Sequence, residues 1–173
     1  MRISNLLFGF VALTGPAVLK AQDKSNDTTA RTFIIQASIG NLQEIAMGRL
    51  AVQQAASPDV KAFAQRMIDD HSKAEARLME LIRSRGFQIP HEATDPPVED
   101  RMLKDLPAKD FDRDYVHMMV PGHRQTAALF EKYALTGKDP DVKTFAQQTL
   151  PVIKEHLAAI TAIENSMSTP MAR

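Results

Sequence analysis

Residues 57–86 read SPDVKAFAQRMIDDHSKAEARLMELIRSRG and contain the start, the apolar face and the end of one helix. Ser57 followed by Pro58 is typical of an N-cap and a first helical residue, and Asp59 favours the positive end of the helix dipole. Apolar residues then recur at steps of three and four, as on the buried face of an amphipathic helix. Gly86 supplies a C-cap, so the stretch predicts a helix of about 28 residues.

The same signals predict three more helices. SPDVKAFAQ (57–65) recurs as DPDVKTFAQ (139–147), which favours two related hairpins; a helix-start signal shared by two unrelated helices is the alternative. The four predicted helices cover residues 29–56, 57–86, 108–137 and 141–166.

The connection between the second and third predicted helices decides the topology. Residues 87–107 contain four prolines, with one short helix predicted around 99–106. A linker of about 20 residues can reach roughly 66 Å, more than the roughly 42 Å length of such a helix. The sequence therefore predicts an all-α, ferritin-like four-helix bundle with one long crossover between helices 2 and 3. A plain up-down-up-down bundle is the alternative.

The N-terminal segment 1–21 has the layout of a secretory signal peptide. Arg2 precedes an apolar run at Leu6–Leu13, and a Gly-Pro breaker and small residues follow it. Cleavage is predicted after Ala17 or Ala21. The apolar run is shorter than the about 20 residues of a membrane-spanning helix, although an uncleaved N-terminal anchor is the alternative.

Composition excludes several classes of protein. The chain of 173 residues has 21 basic and 21 acidic side chains, and this zero net charge disfavours a nucleic-acid partner. The absence of cysteine excludes disulfides, iron–sulfur clusters and thiol nucleophiles. Removal of residues 1–21 would leave a net charge of −2 and no apolar stretch of membrane length. We therefore expect a periplasmic or secreted product, with a flexible lead-in at 22–28 and a bundle at 29–168.

Three of the five histidines fall on the apolar rows of different helices. His71, His123 and His156 each lie about 13–16 residues after the predicted start of their helix, and Glu44 lies about 15 residues into the first helix. Because apolar rows converge on the axis of a bundle, we expect these four side chains to meet near mid-height. A metal site and a structural polar network are both consistent with this layer.

A four-residue spacing adds further candidates. Met67 and Met119 each precede one of these histidines by four residues and therefore share its helical face, and Tyr115 precedes Met119 by the same step. Asp70 adjoins His71 but points about 100° away, as an outer hydrogen-bonding partner. Thioether with imidazole suits copper, whereas imidazole with carboxylate suits zinc, iron or manganese.

Other signals are negative. His91 in the linker and His117 beside charged neighbours are predicted to be solvated. The chain contains no GxGxxG, GxxxxGK[ST], GxSxG or HExxH motif. It also lacks the Glu-x-x-His pairs of di-iron bundles, which disfavours a metal-dependent redox enzyme. No particular enzymatic activity is predicted.

The sequence resembles the bacterial family of domain of unknown function 4142 (DUF4142) over about residues 30–165. The resemblance is carried by FIIQASIGNLQEIAMGRLA (33–51), VKAFAQRMIDDHSKAEARL (60–78), FDRDYVHMMVPGHRQTAALF (111–130) and VKTFAQQTLPVIKEHLAAI (142–160). It implies an exported protein with a ferritin-like four-helix fold, and it implies no activity. The family's recurring polar positions correspond here to Glu44, Asp70–His71, Tyr115, His123 and His156.

One departure from the family pattern is that Gly40 is followed by Asn41 where the family usually has paired glycines. The two Met-x-x-x-His pairs are also similar to the Met/His helices of another small exported bundle family linked to copper handling. The sequence thus predicts an exported bundle with an interior metal or small-ligand site. A non-catalytic envelope or stress-related protein is the alternative.

Overall fold

The computed structural model describes residues 28–88, 103 and 105–168, with the side chains of 108 and 109 excepted. These ranges contain no strand, and the four long helices begin and end within two residues of their predicted limits. The predicted signal peptide, most of the lead-in and of the crossover, and His91 lie outside the described residues. The helices are α1 (Thr28–Gln54), α2 (Pro58–Arg85), α3 (Ala108–Thr136) and α4 (Pro140–Ser168).

The repeated sequence marks the starts of α2 and α4. The Ser57 Oγ accepts a hydrogen bond from the Val60 N–H at 3.5 Å. At the corresponding place the Asp139 carboxylate accepts from the N–H groups of Asp141 at 3.0 Å and Val142 at 3.2 Å. Both side chains therefore satisfy amide groups that have no partner inside the helix.

Contacts between helices give their directions. Phe33 near the start of α1 stacks on Tyr133 near the end of α3, with ring centroids 4.2 Å apart. Beyond the other end of α1, the Asp112 carboxylate in the first turns of α3 accepts hydrogen bonds from the N–H groups of Ala56 at 3.0 Å and Ser57 at 2.7 Å. α1 and α3 are therefore antiparallel.

The second pair of helices, α2 and α4, is also antiparallel. Arg85 at the end of α2 forms a 2.7 Å ion pair with Asp139, just before α4. Arg66 in the first half of α2 reaches Glu155 in the second half of α4 at 2.6 Å.

α1 and α2 are antiparallel as well, because Ser38 bonds to Glu75 and Asn41 to His71. α2 is then parallel to α3, and the connection between them leads from one end of the bundle to the other. The ferritin-like topology with one long crossover is confirmed, and the up-down-up-down alternative is wrong.

Two apolar clusters fill the bundle, one toward each end. The Phe33 cluster contains Phe33, Ile34, Leu78, Phe130, Phe145 and their apolar neighbours. The Phe111 cluster contains Phe63, Met67, Phe111, Tyr115, Ile160 and their apolar neighbours. The buried histidines belong to neither cluster and lie along their helices between them. The fold thus places a polar layer between two apolar cores. None of the helices in the described part of the chain has the length and apolar character needed to span a bilayer.

Candidate metal centre

Three helices each contribute one buried histidine to the polar layer. His71 on α2, His123 on α3 and His156 on α4 are each less than one tenth exposed. One ligand nitrogen from each ring lies within 4.8 Å of the others. The ring centroids are 5.4 to 6.3 Å apart. The structure therefore brings together the three histidines that the apolar rows predicted.

Each of these rings is held by a hydrogen bond at one nitrogen. All three acceptors are oxygen atoms: an amide carbonyl, a backbone carbonyl and a carboxylate. An oxygen acceptor takes the ring N–H, so in the neutral ring the other nitrogen carries the lone pair. The bonds join His71 Nδ1 to Asn41 Oδ1 (2.6 Å), His123 Nδ1 to the Met119 carbonyl (2.9 Å) and His156 Nε2 to Asp70 Oδ2 (3.1 Å).

The second nitrogen of each ring has a different environment. His71 Nε2, His123 Nε2 and His156 Nδ1 are buried and have no hydrogen-bond partner within the described ranges. Glu44 Oε2 on α1 shares this condition. Buried polar atoms nearly always have a partner, so a group of four that lacks one indicates a site for a ligand.

Glu44 completes the layer from the fourth helix. Its side chain is 17% exposed, and its Oε1 lies 3.9 Å from His123 Nδ1, which is beyond hydrogen-bonding distance. A Cβ atom added at Gly122 would lie 3.9 Å from the same oxygen, so the backbone of α3 runs close beside this carboxyl group. Burial raises the pKa of Glu44 to about 8.

Burial also changes the protonation of the histidines. Burial, with a smaller contribution from charge on His156, lowers the pKa of His71 to about 3 and that of His123 to about 4. The pKa of His156 is lowered as well, because burial outweighs its hydrogen bond to Asp70. The three rings are therefore neutral at pH 7, which is the form that binds metal ions.

Asp70 lies at the edge of the layer and is 23% exposed. Burial alone would raise its pKa, but hydrogen bonds from His156 and Lys73 lower it. The ionised carboxylate also lies 3.4 Å from Arg66 Nε. It therefore orients His156 from the outside, whereas the sequence placed it only beside His71.

The polar layer opens into a cavity of about 290 Å³. All four helices line it, and no lysine or arginine of the described part of the chain does. The acidic side chains Glu44 and Asp70 are both among the lining residues. The lining thus offers three imidazole groups and two carboxyl groups, which are the donor types that bind transition-metal ions.

The methionines and Tyr115 differ in their relation to this cavity. Met119 lines it, together with Met47 and Met118, which the sequence did not single out. Met67 and Tyr115 are fully buried in the Phe111 cluster and are not among the lining residues. Tyr115 stacks on Phe111 at 5.9 Å, and burial together with the charge of Glu44 raises its pKa.

Two other residues complete the comparison with the sequence. His117 is 64% exposed, as predicted. Asn41 was noted only as part of a small-residue face, yet it is the partner of His71. The sequence contained one indication of this role: Asn41 and Glu44 lie three residues apart and therefore share a helical face. A buried amide on that face needs a hydrogen-bond partner.

Solved structures show the same fold. A DUF305 fragment from Deinococcus radiodurans is 13% identical, with a TM-score of 0.69 over 80% of this chain and 97% of that one. CopM in its Cu(I)-bound form is 15% identical, with a TM-score of 0.70 over 81% of this chain and 98% of CopM. The Cu(II)-bound form of CopM is 14% identical, with a TM-score of 0.65 over 80% of this chain and 97% of CopM. A DUF305 protein from Streptomyces coelicolor, provisionally described as secreted, is 10% identical, with a TM-score of 0.70 over 84% and 97%. At these identities the likeness establishes the fold alone.

Sequence comparison establishes the family. No curated protein gives a significant match. The family model described as domain of unknown function DUF4142 matches residues 15–163, which is most of the chain, and the protein therefore belongs to the DUF4142 family.

Proposed function

We propose that this protein binds one transition-metal ion in the interior of the bundle. His71, His123 and His156 supply three imidazole ligands, and Glu44 supplies a carboxylate from the fourth helix. The observation that carries the proposal is that each ring is held through one nitrogen while its other nitrogen is buried without a partner.

The outer hydrogen bonds support this proposal. Histidines that bind metals usually donate the second ring N–H to a carboxylate or carbonyl oxygen, which fixes the tautomer and orients the ring. All three histidines have such a partner, on three different elements of the fold. A purely structural network would instead satisfy the inner nitrogens as well.

The distances between the three histidines are compatible with coordination after a small movement. Two nitrogens bound to one ion at about 2.1 Å lie roughly 3.4 Å apart. One nitrogen of each histidine lies within 4.8 Å of the others, so the rings would move inward by up to about an ångström. The adjoining cavity leaves space for side chains to adjust.

Copper is the first metal to test. Imidazole and carboxylate ligands suit Cu(II), zinc and iron, and copper binds such a set most tightly among the divalent ions. The thioether-bearing residue Met119 lines the same cavity, which favours Cu(I) as well. CopM, which shares the fold, has been crystallised with both copper states. Zinc, iron and manganese are the next candidates, and we assign Met67 to the core.

A second candidate function is a non-catalytic envelope or stress-related protein whose histidines cross-link the core. One observation favours it: Asn41 donates hydrogen bonds to the His71 carbonyl at 2.7 Å and to Glu75 Oε2 at 3.0 Å, and thereby ties α1 to α2. These bonds leave the inner nitrogen of the His71 ring without a partner among the described residues.

We also propose that the chain is exported with residues 1–21 as a cleaved signal peptide. The N-terminal apolar run supports this, as does the description of a DUF305 structural relative as secreted. Intact-mass measurement on the mature protein from cells would show the loss of the first 17 or 21 residues. An unshortened mass would contradict the proposal.

Equilibrium dialysis followed by elemental analysis tests the metal site. Metal-stripped protein should take up one copper ion per chain, and the triple variant of the three histidines to alanine should take up none. The variant His117→Ala, at an exposed histidine, is the matched control and should bind as the parent does. Equal uptake by the triple variant and the parent would overturn the proposal.

A further inference from the structure

The mouth of the cavity lies between α1 and α3. Among the lining residues, Gln36 on α1 and Gln125 on α3 are exposed, while those of α2 and α4 are buried or half-buried. Half-buried Gly40, Gln43 and Thr126 lie on the same two helices. The cavity therefore reaches solvent through the face that α1 and α3 share.

The opposite face, between α2 and α4, is bridged by side chains. Arg66 pairs with Glu155 at 2.6 Å, and Asp70 bonds to His156. The Arg77 guanidinium lies 5.4 Å from the centre of the Phe145 ring. These bridges cross the outer side of the polar layer and favour access from the α1–α3 side.

Two glycines leave space at the mouth. A Cβ atom at Gly40 would meet no atom within 4 Å, so open space adjoins this position. Gly122 on α3 faces Glu44 across the interface, with 3.9 Å between its ideal Cβ and Glu44 Oε1. A small molecule that passes Gly40 therefore arrives at the carboxyl group and the adjoining imidazoles.

We infer that this mouth admits a small exogenous ligand, neutral or singly charged, to an open coordination position on the metal ion. The inference rests on the proposed metal site. The cavity behind the mouth has a volume of about 290 Å³, which is near the lower limit of small-molecule pockets, about 300 Å³, and is larger than an ion alone requires. The polar groups at the mouth are the amides of Gln36, Gln43 and Gln125, which offer hydrogen bonds without charge.

Azide is the probe for this open position. The copper content of the Cu(II)-loaded protein is measured first, and azide is then titrated while optical and electron paramagnetic resonance spectra are recorded. A saturable change in both spectra is the expected result. One bound copper with spectra that azide leaves unchanged would overturn the inference and leave the metal site intact. Failure of copper to bind would overturn both.

Two bulky substitutions test the route. Gly40→Phe fills the mouth from α1 and should weaken azide binding by about tenfold or more, whereas Gly40→Ala, which makes a similar backbone change, should bind azide as the parent does. Gln125→Phe fills it from α3, with Ala128→Phe at an exposed position of the same helix as its control. Copper content and azide-free spectra should be the same in all four variants. Equal azide affinity in both bulky variants and their controls would place the route elsewhere and overturn the inference.

Discussion

Asn41 and His71 hold each other through two hydrogen bonds. Asn41 Oδ1 accepts from the His71 ring at 2.6 Å, and Asn41 Nδ2 donates to the His71 backbone carbonyl at 2.7 Å. The same Nδ2 donates to Glu75, so its amide orientation is fixed by two acceptors. The ring of His71 is therefore set by α1, although the histidine belongs to α2.

Asn41→Leu should weaken metal binding by about 10- to 100-fold, because the ring of His71 loses the partner that orients it. It should also lower the free energy of unfolding by roughly 1–3 kcal/mol, since the His71 carbonyl and the half-buried Glu75 carboxylate lose a donor and the His71 ring loses an acceptor. Competition with a copper chelator and urea denaturation measure the two effects. Gln53→Leu, at an exposed position of the same helix, is the control. Unchanged copper affinity in Asn41→Leu would contradict this role.

His71→Ala and His123→Ala should each abolish the rise in melting temperature that copper produces in the parent, because a ligand stabilises only the state that binds it. Calorimetry with and without one equivalent of copper measures the effect. Met67→Leu, a core change of similar volume, should keep the rise. A full copper-dependent rise in either histidine variant would show that the ion binds elsewhere.

Metal-free protein should be most stable near pH 6.5. Below this value the unfolded chain protonates histidines that stay neutral in the folded state, where the pKa of His71 is about 3 and that of His123 about 4, so stability falls as pH falls. Between pH 4.5 and 8 the folded state holds a proton on Glu44 that the unfolded state has lost, so this group destabilises as pH rises. Below pH 6.5 the histidines outweigh Glu44, because at least two of them gain protons in the unfolded chain against the single proton on Glu44.

Glu44→Gln isolates the alkaline part of this profile. The parent should lose roughly 1–2 kcal/mol between pH 6.5 and 8, and the variant should lose none of it, because glutamine does not titrate. Urea denaturation at a series of pH values gives the free energies. Parallel alkaline profiles in parent and variant would show that Glu44 is already ionised in the folded protein.

The buried ion pair between Arg85 and Asp139 should carry much of the stability at one end of the bundle. Their side chains are 2% and 3% exposed, and Asp139 is also the N-cap of α4. Asp139→Ala should cost about 3–5 kcal/mol, since it leaves a buried guanidinium whose remaining charged partner in the structure is the half-exposed Asp141. Glu155→Gln, in the exposed pair with Arg66, should cost less than about 1 kcal/mol. Similar losses in both variants would contradict the assignment.

The helices and the inward histidines could be predicted because their signals are local. Caps, prolines and apolar spacing determine where each helix begins and which face it buries. His71, His123 and His156 lie at similar distances along helices of similar length, and this places them at the same height along the bundle axis.

Contacts across helices could not be predicted, because they depend on how each helix is rotated about its axis. Asp70 precedes His71 in the chain but bonds to His156 on another helix. Met67 and Met119 have the same four-residue spacing to a histidine, yet only Met119 lines the cavity. Both methionines belong to the Phe111 cluster, so the rotation of each helix about its own axis decides which of them also reaches the cavity.

Nitrogen-15 resonances of the histidine rings provide the most direct test of the metal site. Addition of one equivalent of a diamagnetic ion, Cu(I) or Zn²⁺, to ring-labelled protein should shift His71 Nε2, His123 Nε2 and His156 Nδ1 as these atoms become ligands, and the exposed ring of His117 should stay unchanged. This unequal pattern follows from which nitrogen of each ring already has an oxygen partner. Shifts confined to His117, shifts at the oxygen-bonded nitrogens, or three unchanged rings would contradict the proposed metal centre.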